Sequence, residues 1–212
     1  MTRITAASLS KATGDRERRW DPLVHHDPSR FVCSRPLPPQ IPVDTLRPMA
    51  ARIIQAGAED WAQVREIRLQ ALADSPQAFA SRFSDERDRP ESLWRDRLSL
   101  PNAATYLALN DGEAVGLVTV FLDPEDHARA HLVSMWVMPS WRRRGVGTTL
   151  TQAVFDWAKR TGAQTLDLWV TETNSPARGM YERSGFTESG DRQALPSHPQ
   201  LQEIRMTCVL SG

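Results

Sequence analysis

The residues best placed to do chemistry in this chain form a short turn that is rich in arginine and glycine. Its members are Arg142, Arg143, Arg144, Gly145 and Gly147, and a run of helical periodicity follows them directly. Glycines in such a turn let successive backbone N–H groups point toward one ligand. The start of a helix adds unpaired donors and a partial positive charge. Together with the guanidinium charges, this R-x-x-G-x-G pattern predicts a pyrophosphate site.

Two better-known phosphate motifs do not fit this turn. A P-loop needs Gly-Lys followed by Ser or Thr at a fixed spacing, and no such tripeptide is present. A dinucleotide fingerprint needs G-x-G-x-x-G directly after a strand, and only two glycines occur here. Both of these nucleotide-binding classes are therefore excluded for this turn.

The elements that must position the turn follow from the hydrophobic patterns on either side of it. A strand pattern over 131–138 stops at Pro139, and a long amphipathic helix is predicted over 145–160. A strand over 165–170 and a short helix over 177–184 follow. The turn therefore joins a strand to the N-terminus of a helix, as an anion site requires.

The rest of the chain from residue 52 onward predicts further strands and helices. Strands are predicted at 52–56, 105–109, 114–122, 186–190 and 202–209, and helices at 59–73 and 90–98. Asn110-Asp111-Gly112 indicates a hairpin turn, and Leu93, Trp94 and Leu98 are expected to face inward. Trp61, Trp94 and Trp157 are interpreted as core residues rather than substrate platforms. This order predicts an α/β fold with a mixed sheet, antiparallel at first and then parallel across one crossover helix.

A second motif lies thirty residues after the arginine turn. Asn174, Ala177, Tyr181, Gly185 and Phe186 spell N-x-x-A-x-x-x-Y-x-x-x-G-F. With both motifs in place around a helix and a strand, the chain resembles the GNAT (Gcn5-related N-acetyltransferase) family over about residues 52–210. The resemblance implies a GNAT-like acyl-CoA N-acyltransferase fold, in which a mostly antiparallel sheet has splayed fourth and fifth strands and is flanked by helices.

The resemblance also implies acetyl-CoA as cosubstrate, without a metal. Backbone groups of Trp136, Val137 and Met138 are expected to pair with the pantetheine arm. The pyrophosphate contacts are expected from the residues of the turn and the first helical turn, namely Arg142, Arg143, Arg144, Gly145, Val146, Gly147, Thr148 and Thr149. Asn174 matches a position that contacts the cofactor arm, although an asparagine there also suits a helix cap.

Tyr181 matches the usual general acid, placed to protonate the departing thiolate. A phenol with an ordinary pKa of ~10 stays protonated at neutral pH, which suits that role. The alternative interpretation is a helix tyrosine half-buried against the sheet.

The general base is less well defined by the resemblance. His131 occupies the position of a glutamate in histone-type relatives, six residues before Val137, and an imidazole with a pKa near 6.5 can accept a proton. A solvated histidine at a strand start, Glu172 and a chain of waters stay open as alternatives. Some relatives that act on protein N-termini have a glutamate where this chain has Trp169.

The predicted function is acetyl transfer from acetyl-CoA to a primary amine of a small molecule or peptide, by direct attack on the thioester. The acceptor is expected over the first two helices and the loops 123–130 and 191–201. Six acidic residues there, Glu86, Asp88, Glu91, Asp123, Glu125 and Asp126, could attract a cationic amine, but charges on loops are usually only solvated. A non-catalytic acyl-CoA-binding or sensing domain, or an enzyme for a longer acyl group, are the alternatives.

The charge balance excludes bulk affinity for polyanions. The 212 residues carry 26 basic and 26 acidic side chains, so neither a nucleic acid nor an anionic membrane is an expected partner. No apolar run reaches the ~18–20 residues that a membrane span needs. Cys33 and Cys208 fit no metal spacing, which is consistent with the cytoplasm. A homodimer stays open.

Residues 1–49 differ from the rest of the chain in composition. Seven of the fifteen prolines lie there, together with eight basic and five acidic side chains. Such a segment buries too little apolar surface to offset its ordering entropy, so we expect a disordered extension before a domain at 50–212. Met49 is an alternative start codon.

Overall fold

A computed structural model describes residues 51–210, which form five helices and seven strands. The helices are α1 Trp61–Asp74, α2 Phe83–Arg87, α3 Glu91–Leu98, α4 Val146–Arg160 and α5 Ser175–Arg183. The strands are β1 Arg52–Ala56, β2 Ala103–Asn110, β3 Glu113–Leu122, β4 Arg129–Val137, β5 Thr165–Thr171, β6 Thr187–Leu195 and β7 His198–Val209. The predictions for residues 1–49, including Cys33 and the start codon, lie outside the described residues.

The strands form one mixed sheet in the order β1-β2-β3-β4-β5-β7-β6. Among the strands of residues 51–210, only the β4–β5 pair is parallel, and α4 makes the crossover between these two strands. The hairpin predicted at Asn110 is confirmed, because Asn110 pairs with Glu113 across a two-residue turn. The predicted fold class and its single parallel step are therefore confirmed.

Three local predictions were wrong. The segment 191–201 is not a loop but the end of β6 and the start of β7, joined by a tight turn. The short helix α2 was missed because its five residues carry no helical period of apolar side chains. Leu93 is 47% exposed rather than inward, since Trp94 occupies the buried face of α3.

The fourth and fifth strands part after three residue pairs. Arg129, Ala130 and His131 pair with 165–167, whereas the six remaining residues of β4 have no partner on β5. A bulge at Ser134, whose φ is +58°, shifts the pairing of β4 with β3 by one residue. This bend carries the end of β4 away from β5, because an extra residue on one strand curves it. The predicted splay is confirmed.

Two apolar clusters cover the two faces of the sheet. The face under α4 and α5 buries the inward stripe of α4, which contains Val146, Leu150, Val154 and Trp157. The opposite face is covered by α1 and α3 and includes Trp94. Burial of each such aliphatic side chain contributes about 1.5–3 kcal/mol to folding. These clusters therefore hold the helices against both faces of the sheet. Trp94 and Trp157 are core residues as predicted, while Trp61 is only partly buried.

Candidate active site

The N-terminus of α4 forms an open cradle at the end of β4. Gly145 caps the helix with φ +83°, a left-handed conformation that an L side chain adopts only with strain. The first intrahelical bond runs from Thr149 N–H to the Gly145 carbonyl, so the N–H groups just before Thr149 have no helical acceptor. The side chains of Arg143, Arg144 and Thr148 are exposed around these donors. Such a concentration of N–H groups and charge suits an anionic ligand.

The guanidinium of Arg142 is held by groups of the protein itself. Its Nε donates to the Val137 carbonyl at 2.9 Å, and its Nη2 donates to the Asp74 carboxylate at the end of α1. Arg142 therefore ties the turn to β4 and to α1. Its guanidinium already has two partners before any ligand arrives.

Asp74 is a site residue that the sequence did not reveal. Besides Arg142, its carboxylate accepts the indole N–H of Trp136 at 2.9 Å and the hydroxyl of Ser75. Partial burial works against ionisation, yet these hydrogen bonds outweigh it and hold the pKa of Asp74 below its usual value. Asp74 thus fixes both Trp136 and the arginine turn. No motif could indicate this, because its partners are 62 and 68 residues away.

Gly147 allows α4 and α5 to pack closely against each other. A Cβ at this position would lie 2.7 Å from the Met180 sulfur of α5 and 3.9 Å from Val137. The missing side chain therefore lets α5 approach the first turn of α4. In this way, the second glycine of the motif brings the two motif-bearing helices together.

The backbone of β4 offers hydrogen-bonding groups to the gap. Met138 N–H donates to the Val115 carbonyl at 2.9 Å, so it is occupied within the sheet. Successive N–H groups of a strand point to opposite edges, which directs the Val137 N–H toward the β5 side. Trp136, paired with Leu117, has its side chain in the cluster below α1. Of the three residues expected to contact pantetheine, Val137 is the one whose N–H faces the gap.

Tyr181 lies on α5 and is 5% exposed. Its ring makes an edge-on contact with Phe186, with 5.5 Å between ring centroids. Burial raises the pKa of the Tyr181 phenol well above its ordinary value, because the phenolate would lose its hydration. The phenol therefore stays protonated at every physiological pH.

Asn174 caps α5. Its side-chain oxygen accepts the N–H of Ala177 at 3.3 Å, and Pro176 occupies the first turn. At the other end of α5, Gly185 has φ +95°. The cap fixes the start of the helix that carries Tyr181.

The two side chains considered as general base each lie against a charged side chain. The Nε2 of His131 lies 2.8 Å from Oδ2 of Asp123, and its ring stacks on Phe121. That hydrogen bond, with backbone N–H groups of the loop, lowers the pKa of Asp123 to about 2. His131 lies in the part of β4 that pairs with β5, before the gap opens. Glu172 lies just beyond β5, where it is exposed and lies 3.6 Å from Arg192.

A groove of about 510 Å³ lies between the end of α1, α2 and the β6–β7 turn. Arg82 donates two hydrogen bonds to the Ser197 carbonyl and so ties α2 to that turn. Glu86, one of the six acidic residues considered for the acceptor, is fully buried in an ion pair with Arg68. It therefore acts in the core and not on the groove surface.

Residues 51–210 contain neither a metal-binding cluster nor a membrane-spanning helix. No group of three or more His, Cys, Asp or Glu side chains in this range is arranged to hold a metal ion. None of the helices in the same range is long and apolar enough to cross a bilayer.

Comparisons with known proteins bear on this site. The mycothiol acetyltransferase of Beutenbergia cavernae is 31% identical over 121 residues, which cover 57% of this chain and 39% of that protein. The chain thus spans about two fifths of that relative's length. The N-alpha-acetyltransferase of Sulfurisphaera tokodaii is 31% identical over 133 residues, covering 58% of this chain and 80% of the relative.

A solved structure shares the fold. A Salmonella typhimurium protein, solved with its cofactor acetyl-CoA, matches with a TM-score of 0.64 at 19% identity, covering 76% of this chain and 95% of that one. The family model described as "Acetyltransferase (GNAT) family" matches residues 61–186, which is more than half of the chain. The arginine cradle, the splayed strands and the capped helix with its buried tyrosine all lie within that match or at its edge. This chain belongs to the acetyltransferase (GNAT) family.

Proposed function

We propose that the protein is an acetyl-CoA-dependent N-acetyltransferase that transfers an acetyl group to a primary amine. The observation that carries this proposal is the gap between β4 and β5, which ends at the cradle of α4. A thioester arm lying along β4 would reach this gap while its pyrophosphate binds the helix N-terminus. Membership of the family supports the same ligand.

The cofactor contacts follow from the placement of the β4 and α4 groups. The first-turn N–H groups of α4, with Arg143, Arg144 and Thr148, bind the pyrophosphate, and Thr149 closes the turn. Val137 N–H pairs with pantetheine. Trp136, Met138 and Arg142 act by holding β4 and the turn in place, and Asn174 by capping α5.

The chemistry needs a proton donor and a proton acceptor. The neutral amine attacks the thioester carbonyl carbon, and the tetrahedral intermediate then expels the thiolate, which takes the proton of Tyr181. The proton lost by the attacking nitrogen passes to a base. His131 is our candidate for this base, with Asp123 holding its ring. A water chain or Glu172 would take its place if His131→Ala retained full turnover.

The groove beside α1, α2 and the β6–β7 turn is one of two openings along α1 that we consider for the acceptor. This groove is open, and its volume suits a small molecule or the end of a peptide. The names of the two relatives describe different acceptors, so they do not choose between these classes. The proposed setting is the cytoplasm, and a homodimer is an optional form of the same enzyme.

The test combines binding with turnover. Calorimetry should detect acetyl-CoA binding, and release of CoA thiol should accelerate when amines from a panel of polyamines, amino acids, aminoglycosides and peptides are added. Binding without thiol release for any amine would instead identify a non-catalytic acyl-CoA-binding domain. Absence of acetyl-CoA binding would contradict both functions.

A further inference from the structure

A second cavity lies between the α1 and α3 helices and the sheet, and Arg68 of the Arg68–Glu86 pair lines it. We name it the α3 cavity. Its volume is about 160 Å³, close to the ~150 Å³ of engineered cavities that hold one benzene molecule. Its floor crosses the sheet along the register of three strands, through Thr105, Thr119 and Val133. It therefore suits a small ligand and runs toward β4.

The walls of the α3 cavity carry positive charge without a matching acidic side chain. Arg68 and Arg97 line it, and no acidic residue of the described range 51–210 does. Glu86 lies nearby, but both of its oxygens already accept from Arg68, at 3.0 and 3.1 Å. One guanidinium charge, that of Arg97, is therefore in excess.

The side chain of Arg97 lines the α3 cavity and is exposed. Its guanidinium lies 5.9 Å from the centre of the Trp94 ring, and it makes no ion pair or hydrogen bond with residues 51–210. Desolvation of the guanidinium and repulsion from Arg89 and Arg68 lower the pKa of Arg97, which Glu86 only partly offsets. An anion beside it would relieve that repulsion.

Two more donors in the same walls are unpaired. The Nη1 of Arg68 and the Nε1 of Trp94 are buried and find no hydrogen-bond partner within residues 51–210. Buried polar groups are normally paired, so two orphan donors beside one cavity are unusual. Both are N–H groups, and they add to the positive potential of the walls.

The α3 cavity opens beside the strand proposed to hold the thioester. Val133 and Ser134 line it at the bulge of β4, after the pairing with β5 has ended. From Ser134 to Val137, the strand advances by about 10 Å at ~3.3 Å per residue. A molecule with an anionic end in the cavity could therefore place an amine near the gap.

We propose that the α3 cavity binds the carboxylate of a small acceptor amine through Arg97, so that ω-amino carboxylates are preferred acceptors. This inference rests on the proposed acetyl transfer and names its substrate class. The cavity walls supply apolar contacts for the aliphatic chain through Leu98, Leu117 and Phe121. Within residues 51–210, Glu86 balances the charge of Arg97 only in part, and the carboxylate supplies the remaining negative charge.

The experiment compares acceptors that differ only in charge. We would measure kcat/KM for 4-aminobutanoate, 6-aminohexanoate and 8-aminooctanoate against their primary amides. For the length that fits, the carboxylate should be preferred about tenfold or more, as for a hydrogen bond to a charged group. R97Q should remove most of this preference while R97K keeps it. Equal use of acid and amide by the wild-type enzyme would overturn the proposal.

A control variant and a binding measurement separate this inference from the proposed function. R87Q removes one positive charge from an exposed residue outside the cavity and should leave the preference intact. Calorimetry with butanoate and butanamide tests the cavity without any turnover. If no amine is acetylated, acetyl transfer fails, but butanoate binding that R97Q abolishes still supports the cavity. Butanoate binding unaffected by R97Q would overturn it.

Discussion

The acid role proposed for Tyr181 depends on the cost of charging a buried phenol. The ring is almost fully enclosed between α5 and the sheet, and burial raises the pKa of its hydroxyl. A thiolate leaving group needs a proton at the moment the C–S bond breaks. A phenol that stays protonated near neutral pH holds a proton at that moment, although its raised pKa also makes it a weaker acid.

Removing this hydroxyl should therefore slow turnover without affecting cofactor binding. We expect Tyr181→Phe to lower kcat by roughly 100-fold or more, the usual contribution of a positioned general acid. Acetyl-CoA affinity, measured by calorimetry, should change little because the ring is retained. The chain has only one other tyrosine, Tyr106, and Tyr106→Phe is the matched control. Equal turnover in Tyr181→Phe and wild type would rule out the acid role.

The pH dependence of kcat follows from the same burial. Because the folded-state pKa of Tyr181 is raised, the protonated form persists far above pH 7, and its loss cannot reduce activity in the ordinary alkaline range. We expect kcat to show no falling limb due to Tyr181 up to about pH 10, the pKa of an unburied phenol. A rate profile that falls between pH 8 and pH 9 in the wild type, and not in Tyr181→Phe, would contradict this assignment.

At the scale of elements, the start of α4 is held from several directions. Asp74 at the end of α1 binds both Trp136 of β4 and Arg142 of the turn. Gly147 allows Met180 of α5 to approach. The donors of the cradle are therefore oriented before any ligand binds, which reduces the entropy lost on binding.

The two glycines that flank α4 allow the effect of backbone strain to be distinguished from an effect on ligand binding. Gly145 and Gly162 flank the helix with φ +83° and +82°, and a Cβ at either would meet no atom within 4 Å. Substitution by alanine should cost each variant about 1–2 kcal/mol of stability from the left-handed conformation alone. Only Gly145→Ala should also weaken acetyl-CoA binding, since it distorts the cradle. Similar calorimetric affinities for both variants would argue against the cradle.

At the scale of the whole molecule, one buried ion pair joins the segments that cover the sheet face opposite α4. Arg68 of α1 and Glu86 of α2 are 6% and 0% exposed. Burial alone would raise the pKa of Glu86. The hydrogen bonds and the positive charge of Arg68 outweigh this effect, so the pKa of Glu86 is lowered. Breaking such a pair leaves a buried charge without compensation.

Glu86→Gln should therefore destabilise the fold strongly at neutral pH, by about 3–5 kcal/mol. Since the folded pKa is depressed, the stabilisation is present above the unfolded value of 4.5 and is lost as pH falls through the folded value. The stabilities of wild type and variant should accordingly approach each other as the pH falls below 4.5 and through the lower folded pKa. Asp88→Asn, which removes an exposed partner of Arg87, should leave the stability nearly unchanged. Parallel curves down to pH 3 would contradict this account.

Much of the fold could be predicted from the sequence because its signals are local. Strand β1 and the hairpin at Asn110 agree with their patterns, and the boundaries of α4 do so within one residue. The end of β6 was missed because its exposed, polar residues lack the alternation of a half-buried strand. The short helix α2 is stabilised by Glu86, whose partner Arg68 is 18 residues away. No pattern within α2 itself carries that information.

The features of the candidate site also fall into two groups, those set by local sequence and those set by tertiary structure. The left-handed Gly145, the Asn174 cap and the position of Tyr181 within α5 are properties of contiguous residues, so the sequence alone determined them. The tertiary structure decided that Arg142 binds Asp74, that Gly147 makes room for Met180 and that Arg97 has no ionic partner in residues 51–210. It also decided where β4 parts from β5, because a bulge and the pairing of separate strands set that point. Local backbone geometry is encoded over a few neighbouring residues, whereas the partner of a charge or of a strand edge depends on packing between distant segments.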